Sequence, residues 1–313
     1  MAIHGAFFEQ EGYFVTLSNG QRDHYFVDSF IDPWKPRAEK QVLLIQPGFG
    51  RSARFWYHWI PALARDYIVI RRDLRGHGES SFPKRLSPWS EGASGKYEND
   101  YAWNIETICA EIVDFLDKLG IDKVHFLGES TSGQVGHAMA ALHPDRIASL
   151  ITFSSPTHLP EDKCRFLAMG QPSWPEAMVS LGSRAWAVAL SGQAGTSPRQ
   201  DQAYHEWWLN EVGKSAAEGL AGYAVFLEQL NTRPFLPQIR CPVSILAPTR
   251  SAAVPMEESQ YAASHIPGAE LKVVESPGHE IYVESADVCV ELVRDHLANF
   301  GGSRGWSDRP RRA

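Results

Sequence analysis

A chain of 313 residues, 43% of them hydrophobic, can bury a large core, either as one domain with an insertion or as two small ones. Its formal net charge of -7 and pI near 5.9 argue against nucleic acid and anionic membranes as partners, since both demand clustered Lys and Arg; a small-molecule partner is expected. The four cysteines, Cys109, Cys164, Cys241 and Cys289, are widely spaced with no CxxC or Cys/His cluster, which speaks against a zinc site or a disulfide framework and for buried free thiols.

The first residues lack a basic region with a long apolar stretch, and no apolar run reaches the ~18 residues of a membrane span, so a soluble, cytoplasmic protein is expected. Residues 13–17 and 24–27 flank Ser18-Asn19-Gly20-Gln21, where Asn-Gly supplies the positive φ angles of a tight turn, predicting an opening β-hairpin. Short apolar runs follow at 42–45, 68–71, 124–127, 148–153, 243–247 and 271–274, typical of strands buried on both faces. Helices are predicted at 55–64, 105–119, 133–142, 256–264 and 286–300; the second carries an apolar stripe through Ile108, Ile112, Phe115, Leu116 and Leu119. This alternation implies an α/β fold built on a mostly parallel sheet. It breaks at residues 157–237, where helical segments run without a convincing strand. That stretch is read as an inserted helical cap on a core formed by residues 1–156 and 238–300. The Gly- and Arg-rich tail, 301–313, is expected to be disordered. The cap holds Trp174, Trp186, Trp207 and Tyr204 among other large rings, suited to lining an apolar substrate pocket; packing within the cap itself is the simpler reading for each ring.

Gly128-Glu129-Ser130-Thr131-Ser132 lies between an apolar strand and a small-residue helix start. A serine at a sharp strand-to-helix turn takes a strained backbone, so small residues are needed two before and two after it. Ser130 is thus the candidate nucleophile. The loop Gln46-Pro47-Gly48-Phe49-Gly50 follows the first parallel strand and can aim a backbone N–H at a developing oxyanion; Phe49 and Thr131 are the expected donors. Arg72-Asp73-Leu74-Arg75-Gly76-His77-Gly78 closes the next strand, and His77 within it reads as structural. Ser276-Pro277-Gly278-His279 follows the last strand and makes His279 the candidate base.

Together these segments resemble the α/β-hydrolase superfamily from about residue 40 to 298, outside the cap. The resemblance implies the α/β-hydrolase fold and a Ser130–His279 pair. Two departures stand out. The oxyanion loop has Gln46-Pro47 where many relatives carry His, and Ser251 stands where most relatives place the acidic member of the triad. Zearalenone-type lactonases and cofactor-free ring-cleaving dioxygenases take that acid from the strand after the nucleophile helix, but here that strand ends Thr152-Phe153-Ser154-Ser155. Candidates to orient His279 are therefore Ser154, Ser251 and Glu257, with Glu258 and Glu129 as further carboxylates. The expected activity is hydrolysis of a carboxylic ester or lactone of an apolar, aromatic or polyketide-like compound through an acyl-enzyme, without metal or organic cofactor. A zearalenone-like lactonase is one form of this. Alternatives are a carbon–carbon bond hydrolase of β-diketone type, a non-catalytic ligand-binding protein on a hydrolase scaffold, and, behind these, a cofactor-free dioxygenase. A homodimer is compatible with the sequence but not demanded by it.

Overall fold

The structure is a computed structural model and describes residues 11–36, 40–83, 101–197 and 202–300. The expectation for the tail, 301–313, lies outside them. Eight strands form one sheet in the order β1-β2-β4-β3-β5-β6-β7-β8. They are β1 (Tyr13–Thr16), β2 (Arg22–Asp28), β3 (Val42–Gln46), β4 (Ile68–Arg72), β5 (Val124–Glu129), β6 (Ile147–Phe153), β7 (Val243–Pro248) and β8 (Glu270–Val274). The pairs β1–β2 and β2–β4 are antiparallel, and every other pair is parallel. Strands β3, β4 and β5 are buried along their whole length, which is why their sequences are mostly apolar; Gln46, Arg71, Arg72, His125 and Glu129 are the polar exceptions and are buried with the rest.

The helices are α1 (Ile60–Leu63), α2 (Ile105–Lys118), α3 (Thr131–Leu142), α4 (Glu161–Leu167), α5 (Trp174–Leu181), α6 (Ser183–Ser191), α7 (Gln202–Lys214), α8 (Ala217–Gln229), α9 (Met256–His265), α10 (Ile281–Glu284) and α11 (Ala286–Asn299). No helix among the described residues is long and apolar enough to cross a membrane. Asn104 caps α2 by accepting from the Thr107 N–H, and the predicted stripe of Ile108, Ile112, Phe115 and Leu116 faces the core. Helices α4 to α8 all lie between β6 and β7, in a segment closed at its base by an isolated bridge between His158 and Asn231.

Two local expectations are met in outline and differ in detail. The opening hairpin forms from β1 and β2, with Thr16 opposite Arg22, but of the loop only Gly20 has positive φ, at 82°. Asn19 instead reaches α2, donating to Glu111 Oε1 at 2.6 Å, while the Ser18 hydroxyl donates to Asp114 at 2.9 Å. Those long-range contacts shape the loop. The single helix expected at 55–64 divides into a 3₁₀ segment, Ala53–Trp59, followed by α1, because Pro61 has no N–H with which to continue the ladder.

Buried charge is paired at the ends of β2 and β4. Arg71 meets Asp28 at 2.9 Å, Arg72 meets Asp23 at 2.5 Å, Arg75 meets Glu111 at 2.5 Å, and His24 meets Asp73 at 2.7 Å. Removing one partner of such a pair would strand a charge in the interior. The loop carrying Arg75 also seats the inserted helices. A Cβ at Gly219 of α8 would lie 2.9 Å from the Gly76 backbone, and Gly76 itself has φ of 75°. Neither backbone can give way cheaply. Gly219→Ala is therefore expected to destabilise the fold by about 1–3 kcal/mol through overpacking, despite the better helix propensity of Ala. Thermal unfolding checks this, and an unchanged or raised midpoint would contradict the contact.

Candidate active site

The C-terminal ends of β3, β5, β6, β7 and β8 open at one edge of the sheet, and their register aligns the loops that follow. Gln46 lies opposite Gly128, Glu129 opposite Phe153, and Pro248 opposite Val274. At the end of β5, Ser130 has φ 52° and ψ -121°, a region that non-glycine residues enter only when the surroundings force them. Its N–H donates to Phe153 O at 2.7 Å, and α3 begins at the next residue. The close approach of strand and helix leaves no room at Gly128, where a Cβ would lie 2.5 Å from Ser132 O, nor at Gly133, where it would lie 1.9 Å from Ser155 Oγ. Ser132 is more than a small residue, since its hydroxyl donates to Pro47 O at 2.6 Å and ties α3 to the loop after β3.

His279 Nε2 lies 3.0 Å from Ser130 Oγ, and its Nδ1 lies 2.9 Å from Ser251 Oγ. The Ser251 oxygen also accepts the Val254 N–H at 3.0 Å. A hydroxyl oxygen has two lone pairs, so both fill if Nδ1 carries the proton, and that tautomer leaves Nε2 to accept from Ser130. Of the candidate orienters, the structure brings Ser251 to the ring. Ser154 serves the same loop differently, donating to the His279 backbone O at 2.7 Å from a residue with φ 49°. Glu257 does not take part: it is exposed on the first turn of α9. Its neighbour Glu258 turns inward instead, accepting from the Thr157 N–H at 2.8 Å and from Arg233 at 2.7 Å. Burial, reinforced by the Arg51 charge, pushes the His279 imidazole down to about 3, so the ring is uncharged at neutral pH.

Phe49 and Thr131, the expected oxyanion donors, face each other, and the Phe49 N–H donates to Thr131 Oγ1 at 3.1 Å. Thr131 is the first residue of α3, where backbone N–H groups have no partner inside the helix. The adjacent Gly48 N–H donates to Glu129 Oε2 in a short bond.

Two charged residues went unnoticed in the sequence. Arg51 donates to Glu280 Oε1 through both Nε, at 3.1 Å, and Nη2, and to Phe49 O at 3.2 Å, so it joins the loop after β3 to the histidine loop. Glu280 also accepts from Trp208 Nε1 at 3.1 Å and from the Tyr282 hydroxyl at 3.2 Å. Burial opposes the Arg51 charge, but Glu280, Tyr282 and Glu129 together hold its pKa above the ordinary arginine value. The available signal was position: Arg51 and Glu280 each directly adjoin a motif loop.

Ser130 opens into a cavity of about 530 Å³, counted to its open mouth. Leu159, Leu167, Trp174, Trp186, Leu190 and Val254 form its apolar wall, with Phe49 against Trp174 at 4.4 Å between ring centroids. Trp174 and Trp186 are thus among the residues that line this cavity. Trp207 does not: it lies at the surface and packs on Phe55 and Tyr204, and neither Trp207 nor Tyr204 is part of the lining. The buried His77 is a packing residue, set between Phe49 and Tyr223 with Nδ1 3.0 Å from Arg75 O. Among the described residues, no group of three or more His, Cys, Asp or Glu side chains is placed to hold a metal ion.

Residues 41–286 match the alpha/beta hydrolase fold family, and the chain belongs to it. Over 288 residues it is 28% identical to the putative carbamate hydrolase RutD of Stutzerimonas stutzeri, covering 89% of this chain and 98% of that one. It is 23% identical over 257 residues to 3-oxoadipate enol-lactonase 2 of Acinetobacter baylyi, covering 77% and 82%. Among solved structures, the enol-lactonase of Burkholderia xenovorans LB400 superposes with a TM-score of 0.77, with 22% identity, covering 91% of this chain and all of that one.

The uncharged state of His279 has a direct readout. In an NMR titration its ring resonances are expected to show no protonation step near pH 6.5, the ring remaining neutral until pH falls toward about 3 or the protein unfolds. A step between about pH 6 and 7 that reports ring protonation would mean that the imidazole is better solvated than its burial implies.

Proposed function

We propose that this chain is a serine hydrolase that cleaves an ester or lactone of a mainly apolar small molecule through an acyl-enzyme. The observation that carries this reading is the 3.0 Å contact between Ser130 Oγ and the uncharged His279 Nε2, at the floor of an aromatic and aliphatic pocket. Nε2 takes the hydroxyl proton as Oγ bonds to the substrate carbonyl carbon, and the carbonyl electron pair moves onto oxygen. The Phe49 and Thr131 N–H groups are the donors for that oxyanion, with the Phe49 N–H exchanging Thr131 Oγ1 for it. Collapse of the intermediate expels the alcohol or enol oxygen, which receives the proton from Nε2. Water, deprotonated by the same nitrogen, then cleaves the acyl-serine.

The choice of ester or lactone is supported by the likeness to 3-oxoadipate enol-lactonase 2 and by the apolar wall. A carbamate, the substrate class in the name of the Stutzerimonas stutzeri relative, has the same essential feature as an ester, an attackable carbonyl bearing a heteroatom. The helices between β6 and β7 act in this reading as a cap, since Trp174, Trp186 and Leu190 all come from them.

Incubation with a fluorophosphonate and mass spectrometry of the adduct test the proposal. Rapid modification at Ser130 is expected, lost in Ser130→Ala and slowed by several orders of magnitude in His279→Ala. Ser251→Ala is expected to slow it by roughly tenfold or more, because Nδ1 loses the acceptor that fixes its tautomer. A folded protein with no adduct at Ser130 would overturn the acyl-enzyme.

A further inference from the structure

Resting on the acyl-enzyme reading, we propose that Glu129 is a positioning residue for His279: its carboxylate, on the serine side of the ring, is the counter-charge for the imidazolium formed when Ser130 gives up its proton.

The argument begins from what stands at Nδ1. A hydroxyl there can orient the ring but brings no negative charge to offset the imidazolium. Glu129 Oε1 lies 3.8 Å from Nε2, within reach of the charge without occupying the place of the Ser130 hydroxyl at 3.0 Å. The carboxyl is fixed by its other oxygen, which accepts the Gly48 N–H, and the fit is tight enough that a Cβ at Gly48 would lie 2.4 Å from it. Glu129 is 2% exposed and lines the same cavity as Ser130. In such a dry setting a charge 3.8 Å away acts with little screening. Glu280, next to His279 in the chain, is committed elsewhere, to Arg51, Trp208 and Tyr282.

The charged and titratable groups around Glu129 are Arg51 from the loop after β3, His279, Glu280 and Tyr282 from the segment after β8, and Tyr204 from α7. Burial pushes the Glu129 carboxyl up to about 7, with Glu280 adding to the rise and Arg51 and the Gly48 N–H opposing it. The sign of the pH dependence follows. Below about 7 the carboxyl is protonated and the imidazolium has no counter-charge; above it the carboxylate is present. At rest the neighbouring imidazole is neutral, so the 3.8 Å approach becomes an ion pair only as Ser130 reacts. A dyad relying on His279 alone would react at a constant rate from about pH 4 upward, since the ring is already unprotonated there.

Glu129→Gln keeps the shape and the acceptor for Gly48 while removing the charge. The rate of Ser130 modification by a fluorophosphonate, followed from about pH 5 to 9, is expected to rise roughly tenfold or more in the unmodified protein, with a midpoint near 7. The Gln variant is expected to give a flat profile at the level of the acid limb. Adding Ser251→Asp to it restores the rate by moving the carboxylate to Nδ1. A Gln variant that keeps the rise, or an unmodified protein whose rate falls through pH 7, overturns the proposal. The His279 ring resonances provide a second readout that needs no turnover: they should shift near pH 7 as Glu129 ionises, a small displacement without ring protonation, absent in the Gln variant. If Ser130 is not modified at any pH, the acyl-enzyme reading falls, and the resonances decide the Glu129–His279 coupling alone, their failure to shift overturning it. If Glu129→Gln does not fold, Ser251→Asp by itself must lift the acid limb toward the plateau, and an unchanged profile overturns the proposal.

Discussion

The positive φ of Ser130 is the constraint on which the rest of the site depends. A non-glycine residue at φ 52° and ψ -121° carries strain of about 1–3 kcal/mol, and it persists only where neighbours leave no relaxed alternative. Those neighbours are specific. The Ser130 N–H is held by Phe153 O, the absent side chains at Gly128 and Gly133 let α3 press against β5 and β6, and the Ser132 hydroxyl anchors the helix to Pro47. Relaxing the turn would break all of these together. The result is a hydroxyl carried clear of the strand end, with the loop after β3 already fastened beside it.

Strand order then decides which loops surround that hydroxyl. Because β3 and β6 flank β5, the loops after β3 and β6 lie on either side of Ser130, while β7 and β8 bring Ser251 and His279 from further along the same edge. Loops drawn from several strands need cross-links to keep angstrom-level spacing, and buried polar groups supply them. Arg51 with Glu280 joins the loop after β3 to the loop holding His279; Ser154 joins the end of β6 to the His279 backbone. The same links reach the inserted helices, since Trp208 of α7 donates to Glu280 and Lys163 of α4 donates to Ala252 O beside Ser251. The pocket wall and His279 are thereby parts of one connected structure.

What the sequence disclosed follows from how local each feature is. A strained turn demands small residues at fixed offsets, and an all-buried strand demands a mostly apolar run, so the turn at Ser130, the parallel strands and the loop holding His279 were legible. The opening hairpin was legible too, but not the conformation of its loop, where Asn19 and Ser18 bond to Glu111 and Asp114, more than ninety positions away. Choosing among Ser251, Ser154 and Glu257 was beyond the sequence for the same reason. All three lie near the right strand ends, and only the fold shows one hydroxyl at the ring, one at its backbone and a carboxylate turned to solvent. The aromatic residues divide similarly, because composition does not say which face of a helix is buried: Trp174 and Trp186 look inward while Trp207 lies outside. Arg51 and Glu280 left little trace, since a buried ion pair and a surface one use the same letters.

A hydroxyl, rather than a carboxylate, at His279 Nδ1 has a chemical consequence for any acyl transfer at this site. An imidazole held near 3 is a weak acceptor for the Ser130 proton, yet once protonated it is a strong acid. It therefore hinders the attack step and assists departure of the leaving group. Such an asymmetry suits acyl compounds whose carbonyl is already activated, enol and aryl esters or strained lactones, where attack needs little help from the base. It suits poorly the unactivated amides, for which attack by a weakly assisted hydroxyl would be prohibitive. A negative charge close to Nε2 reduces this asymmetry without restoring the usual arrangement at Nδ1, because it raises the basicity of the ring only when it is itself ionised. The reactivity of the serine then follows the ionisation of a neighbouring carboxyl rather than that of the histidine, which is how a neutral base in a dry pocket can still respond to pH near neutrality.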